Sequence, residues 1–362
     1  MGGGAFSAII VEDTEGNVPT AVAEAKEVLF LAHSLKTGLS PMAESMSDRL
    51  FSVQTDEIDW NAEPLPVWTY SGTDELITVN GGLKPTIEAD AGEWMRFRIL
   101  WAAWTSDTLN LTMDGCEMNL LAKDGIYVTD FPRIIAQTRI LHGGRADVMV
   151  RCPEVEREYE IVQLRKENRA IVATIRTSST RKDTKELEPW TPDYPSYLRD
   201  LQTTDPSPRC IGQTEMDEKH VNHKRFDPDT YLHKTYLNAV VERHIFVDTH
   251  PYHQHVYPFQ LIDGFSDPTG YYRAGDWHDT IDGKGVIRYQ PRAYTGNVMV
   301  HCHILQHSDK GMMALEYVNQ TGECVSESLG YPTPTSETSS ATSAAFVSFG
   351  VAVVMCSMAL GL

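Results

Sequence analysis

The chain lacks an excess of positive charge. Its 362 residues hold 31 Lys plus Arg against 50 Asp plus Glu, a formal net charge of −19. A protein that grips nucleic acid by its phosphates is normally basic, so that class is excluded. There is no C-x-x-C pair, the spacing most zinc sites use. No glycine-rich phosphate loop joins a strand to a helix, and no G-x-S-x-G elbow occurs, which removes the phosphate-loop and α/β-hydrolase chemistries. The opening MGGGAFSAIIVEDTEGNVP has neither a basic start nor a long apolar run, so it does not read as a secretory leader.

What remains is ordinary globular composition, with 41% hydrophobic and 22% charged residues. Twenty-five Gly and nineteen Pro suit a turn-rich chain. Short apolar or alternating runs recur between turn residues, at Leu76–Val79, Trp94–Leu100, Ala146–Val150 and Ala170–Arg176. That spacing predicts an all-β sandwich or barrel architecture, and the length predicts two domains or slightly more. Ala5–Glu12 reads as a strand entered from a glycine turn. A charged, proline-containing stretch over 181–228 reads as a linker, and a second β-rich segment follows.

The C-terminal end is Ser/Thr-rich over 326–343 and closes on AAFVSFGVAVVMCSMALGL, residues 344–362, with no charge after Glu337. This is the pattern of a GPI signal or of a single membrane helix. Asn110-Leu-Thr and Asn319-Gln-Thr are glycosylation sequons. These features predict a glycosylated, secreted or cell-surface protein anchored to the membrane by its C-terminal tail. A missing leader then implies N-terminal truncation. Of six cysteines, Cys356 lies in the tail and Cys302 sits among histidines. The other four, Cys116, Cys152, Cys210 and Cys324, suit two disulfides or four buried thiols, with Cys210–Cys324 as one conceivable bridge.

Six of the thirteen histidines fall in two clusters, His250-Pro-Tyr-His253-Gln-His255 and His301-Cys302-His303-Ile-Leu-Gln-His307, the second followed by Gly311-Met312-Met313. Imidazole, thiolate and thioether together are copper ligands, and two His with one Cys and a weak axial Met define a blue-copper site. If Val298–Ile304 is a strand, its side chains alternate between faces. Cys302 then faces one way, and His301 and His303 face the other, so one strand serves two metal sites. Pro251 lets His250 turn away from His253 and His255. The first site becomes His250, Cys302 and His307, with Met312 axial and Met313 in the core. His33, His142, His220, His223, His233, His244 and His278 read as structural or exposed.

These residues resemble the C-terminal copper motifs of the multicopper oxidases, the laccase and ferroxidase family built from cupredoxin domains. Upstream, Ile77-Thr-Val-Asn-Gly-Gly, Arg96-Phe-Arg-Ile-Leu, Lys123-Asp-Gly, Gly144-Arg-Ala-Asp-Val and Trp277-His-Asp-Thr-Ile are similar to it as well. The resemblance implies tandem plastocyanin-like Greek-key sandwiches. It divides the chain into a first-domain remnant (1–36), a second cupredoxin domain (37–180), the linker, a copper-binding domain (229–325), the stalk, and a hydrophobic helix or anchor (344–362). The remnant should pack poorly by itself. His253 is implied as the type 2 ligand, and His255, His301 and His303 as type 3 ligands. Electrons from a phenol or a metal ion such as Fe2+ would enter at type 1 copper and pass through Cys302 to His301 and His303, and O2 would be reduced to water. The acidic surface tilts the substrate toward a metal ion. Four further cluster histidines belong to two His-x-His pairs that the chain does not contain. Its own oxygen reduction is therefore incomplete as written, and a blue-copper electron carrier or copper-binding protein is the alternative.

Overall fold

In a computed structural model, the described residues are 6–36, 68–70, 73–103, 108–165, 168–202, 210–217, 219–265, 267–326 and Leu329. Apart from Ser326 and Leu329 the Ser/Thr stalk lies outside them, and so does the apolar tail. Among the described residues no helix is long and apolar enough to cross a membrane.

The architecture is all-β, two sheet pairs in tandem. The first large sheet runs, in spatial order, Trp68–Tyr70, Thr73–Val79, Lys26–Lys36, Trp94–Ala102, Arg145–Arg151, Glu117–Lys123 and Ile126–Tyr127, with Arg133–Ile134 also on Glu117–Lys123. Its companion has four strands, Thr86–Ala91, Asn168–Arg181, Glu158–Arg165 and Leu111–Thr112. The apolar runs read from the sequence lie inside these strands. Phe97, Ile99 and Val148 of one sheet share a core with Ile161, Ala173 and Ile175 of the other, all essentially without solvent exposure. A fully buried Val, Ile or Phe side chain of this kind contributes about 1.5–3 kcal/mol.

The second pair is two six-stranded sheets. One is His220–Val221, Cys210–Asp217, Val241–Phe246, Lys284–Tyr289, Phe259–Asp263 and Trp277–His278. The other is Thr280–Ile281, Tyr252–Gln254, Gly296–Cys302, Met313–Asn319, Tyr231–Tyr236 and Val325–Ser326. Disulfides join Cys116 to Cys152 and Cys210 to Cys324.

Three expectations need correction. Residues 6–14 form no strand; the strand is Lys26–Lys36. It is no loose remnant, because it lies between Thr73–Val79 and Trp94–Ala102 and pairs parallel with the latter over eight residues. In the segment expected to be a strand, Ile9 and Val11 find no partner strand and stay exposed. The expected linker 181–228 contains Cys210–Asp217, a strand of the second sandwich that pairs parallel with Val241–Phe246. Its charged residues hid a buried set that includes Cys210, Gln213, Thr214 and Met216. The sequon asparagines are both engaged with backbone. Asn110 Nδ2 donates to the Leu164 carbonyl at 3.4 Å and Asn319 Nδ2 to the Thr235 carbonyl at 3.3 Å.

Charged groups that are almost fully buried latch the two sandwiches together. Asp276 of the second accepts from Lys123 Nζ at 2.6 Å and from Arg133 at 2.7 and 2.8 Å, both residues of the first. Arg139–Asp282 and Arg145–Asp279, each at 2.6 Å, flank this centre. Such pairs are retained only when every charge has partners, since an unpaired buried charge is strongly destabilising.

Candidate metal centre

The strand Gly296–Cys302 carries the site. Val298, Val300 and Cys302 are buried, while Met299 and His301 are half-buried, the alternation of a sheet with one face on the core. Its neighbour Tyr252–Gln254 pairs in register, with Tyr252 opposite Cys302 and His253 opposite His301. The strand ends at Cys302, sooner than expected, because a one-turn helix over Leu305–Ser308 follows. His303 is therefore placed by the turn rather than by strand alternation.

Two donor sets result. On the core face, Cys302 Sγ lies 3.8 Å from His250 Nδ1 and 3.8 Å from His307 Nδ1, and the two nitrogens are 3.1 Å apart. A triangle with these edges is what bonds of about 2.0–2.3 Å to one shared ion produce. The short helix returns His307 to Cys302, and its backbone is tied to Met312, whose N–H donates to the His307 carbonyl at 3.0 Å. Met312 is fully buried; Met313 is half-buried rather than core. Burial pushes the Cys302 thiol up to about 12 and holds the His250 and His307 imidazoles below their usual range. A cation must displace the thiol proton to use this sulfur.

On the opposite face, one ring nitrogen each from His253, His255 and His301 lie within 4.8 Å of one another. His255 Nε2 and His301 Nε2 face each other at 3.2 Å. The His303 ring centroid is 4.5 Å from that of His253 and 5.5 Å from that of His301. The outer nitrogens are held. His301 Nδ1–H donates to the Cys302 carbonyl at 2.9 Å, and His253 Nδ1–H to the Asp279 carbonyl at 2.9 Å. This is how ligand histidines are oriented, with one nitrogen bonded and the other free for metal. Burial lowers the His301 pKa to about 4 and holds that of His303 well below its usual range, so both stay neutral donors. His303 Nδ1 is buried without a hydrogen-bond partner. An orphaned buried nitrogen beside converging imidazoles fits a metal ligand better than a core histidine.

Sequence reasoning missed Asp124, Arg145 and Asp279, which gather behind His253, and the His142-Gly143 turn behind His303. The segments Lys123-Asp-Gly, Gly144-Arg-Ala-Asp and Trp277-His-Asp-Thr had stood out only as family-like. No pattern within the chain linked them to the histidines. Of the histidines read as structural, His33 is buried and donates to the Ala102 carbonyl at 2.6 Å, and His278 lies 3.5 Å from Asp124. His142 is buried close enough to His303 to help keep it neutral.

A tandem all-β fold, with one cysteine and two histidines in a triangle and a histidine cluster that meets it at neighbouring residues of one strand, is the arrangement of a copper-protein class. The comparisons with known proteins agree. Two multicopper oxidase domain models match, one over residues 44–183 and the other over 191–322. The chain belongs to the multicopper oxidase family. The laccase of Bacillus subtilis (strain 168) is 25% identical over 280 residues, which are 66% of this chain and 53% of that protein. The chain thus spans about half the length of that relative. Among solved structures, the Campylobacter jejuni multicopper oxidase, a metallo-oxidase, has a TM-score of 0.58 at 18% identity, covering 82% of this chain and 65% of that one. The McoA multicopper oxidase 2F4 variant from Aquifex aeolicus gives 0.63 at 16%, covering 85% and 70%. At these identities the structures speak to fold alone.

Proposed function

We propose that the chain is the copper-binding portion of a laccase-like or ferroxidase-like multicopper oxidase. His250, Cys302 and His307, with Met312 as axial ligand, would hold the type 1 copper. His253 would serve the type 2 copper, and His255, His301 and His303 the type 3 pair. Copper so held supplies one-electron redox chemistry and, in a complete cluster, the reduction of O2 to water.

The observation that carries this reading is that consecutive residues, His301 and Cys302, belong to different donor sets. Their shared peptide is a covalent route between the two, and the His301 Nδ1–H bond to the Cys302 carbonyl adds a second, shorter one. Cys302, His301 and His303 are the electron path in this reading. The protein keeps the rings neutral by burial and orients them by hydrogen bonds.

The reducing substrate is a phenol or a metal ion, and a specific feature favours the metal ion. Asp217 and Asp248 both act electrostatically on His250. Carboxylates whose charge is felt at the imidazole of the Cys302 set attract a cation over a distance, an attraction that a neutral phenol lacks. Two disulfides fit an oxidising compartment, in keeping with secretion or the cell surface, with the C-terminal tail as the membrane contact.

The test is copper per chain with the visible spectrum and oxygen uptake. A blue band with copper at both sets supports the assignment. A blue band with one copper and no oxygen uptake favours the alternative, a blue-copper electron carrier. That alternative stands because the chain itself supplies to the cluster only the pairs His253/His255 and His301/His303. Copper uptake with no blue band defeats the type 1 assignment.

A further inference from the structure

A turn of the other sandwich touches one member of the histidine centre and reaches a second through Asp279. The turn Gly143–Arg145 leads into the strand Arg145–Arg151 of the first sandwich, whereas all four histidines come from the second. Gly143 has φ +65°, and a Cβ there would lie 2.8 Å from Nδ1 and 3.0 Å from Nε2 of His303, and closer still to Cε1. The turn has little room to yield. Gly143 N–H donates to the Trp101 carbonyl at 2.9 Å, Gly144 N–H to the Leu141 carbonyl at 2.8 Å, and Trp101 N–H to the Gly144 carbonyl at 3.1 Å. The ring must move instead, and no hydrogen bond at Nδ1 holds it in place.

Arg145 reaches the other histidine. Its Nη2 donates to Asp279 Oδ2 at 2.6 Å and its Nη1 to Asp279 Oδ1 at 3.2 Å, a two-point grip on the carboxylate. Nη1 also donates to the Gly143 carbonyl at 3.2 Å and Nη2 to the Asp124 carbonyl at 3.1 Å, which fixes the guanidinium in the same turn. Asp279 in turn holds His253, directly through its carbonyl and through Thr280, whose hydroxyl donates to Asp279 Oδ1 at 2.8 Å and sits 2.9 Å from His253 Nδ1.

We propose that the Gly143–Arg145 turn is the positioning element of the histidine centre: Gly143 sets the His303 ring by direct contact, and Arg145 sets His253 through Asp279. The proposal rests on reading that centre as a copper site. Gly143→Ala is the first test, with Gly81→Ala as its control. Gly81 has φ +80° and nothing within 4 Å of its Cβ position, so it matches the backbone strain without the ring contact.

In the metal-free chain, the nitrogen-15 resonances of the His303 ring should move in Gly143→Ala and stay in Gly81→Ala. No movement in either, or equal movement in both, overturns the contact. In the copper-loaded chain, affinity at the histidine centre, measured by chelator competition, should fall about tenfold or more in Gly143→Ala and in Arg145→Gln, the usual range for losing an outer support. The Cys302 blue band should keep its position and intensity. Affinity within twofold of wild type in both variants overturns the positioning role, and so does parallel loss of both copper signals, which would mean misfolding. A wild-type chain whose histidine centre takes no copper defeats the reading beneath the proposal, while the metal-free resonances still judge the contact.

Discussion

The two donor sets share a strand but not a dependence. The Cys302 triangle is built within residues 250–312 of one sandwich, and its supports are the short helix Leu305–Ser308 and the buried Met312. The histidine centre has donors from that same sandwich, yet Asp279 behind His253 is gripped by Arg145, and His303 lies against Gly143. A local motif suffices for the first. Under the proposed positioning the second also needs the two sandwiches to dock correctly, which would couple docking to metal binding at one face of the strand and leave the other face independent.

The largest effect that would break this comparison comes from Cys302→Ser. It removes the thiolate, so the blue band should vanish entirely while the histidine centre still binds copper. A persisting band in the visible spectrum would refute the triangle. Next is Asp276→Ala, which strands the buried charges of Lys123 and Arg133. Unfolding by denaturant should show a loss of about 3–5 kcal/mol. The histidine centre should weaken before the Cys302 band does, and simultaneous loss would erase the distinction between the two.

Acid gives a somewhat smaller effect. Burial lowers the folded pKa of His301 to about 4, against about 6.5 when unfolded. Between those values the unfolded chain binds the extra proton, so stability is full above about pH 6.5 and falls as pH drops toward 4. For His301 alone the loss approaches about 3 kcal/mol, and His303, His250, His255 and His307 shift in the same direction. Melting of the metal-free chain at about pH 7.5 and about pH 5, on either side of the unfolded value, should show it. A flat profile would contradict neutral buried rings. The smallest effect is Gly81→Ala, about 1 kcal/mol of left-handed strain with no change at either copper signal.

Much of the site was legible because its donors are close in the chain. Spacing alone put Cys302 and His301 on opposite faces, and Pro251 separated His250 from His253. The buried Asp276, Lys123 and Arg133 were not legible, since charged residues read as surface until a partner from a distant segment is known. The same limit made the segment around Cys210–Asp217 read as linker and put the N-terminal strand at 5–12, where Ile9 and Val11 stay exposed.

The sequence by itself determined the donor chemistry and the all-β class, because ligand identity and period-two alternation are properties of neighbouring residues. Only the tertiary structure decided the rest. It turned His303 into place after the strand ended, joined Cys116 to Cys152, and brought Gly143 and Arg145 against histidines far along the chain. Those contacts are set by how two packed sheets meet, a quantity that no local pattern of side chains encodes.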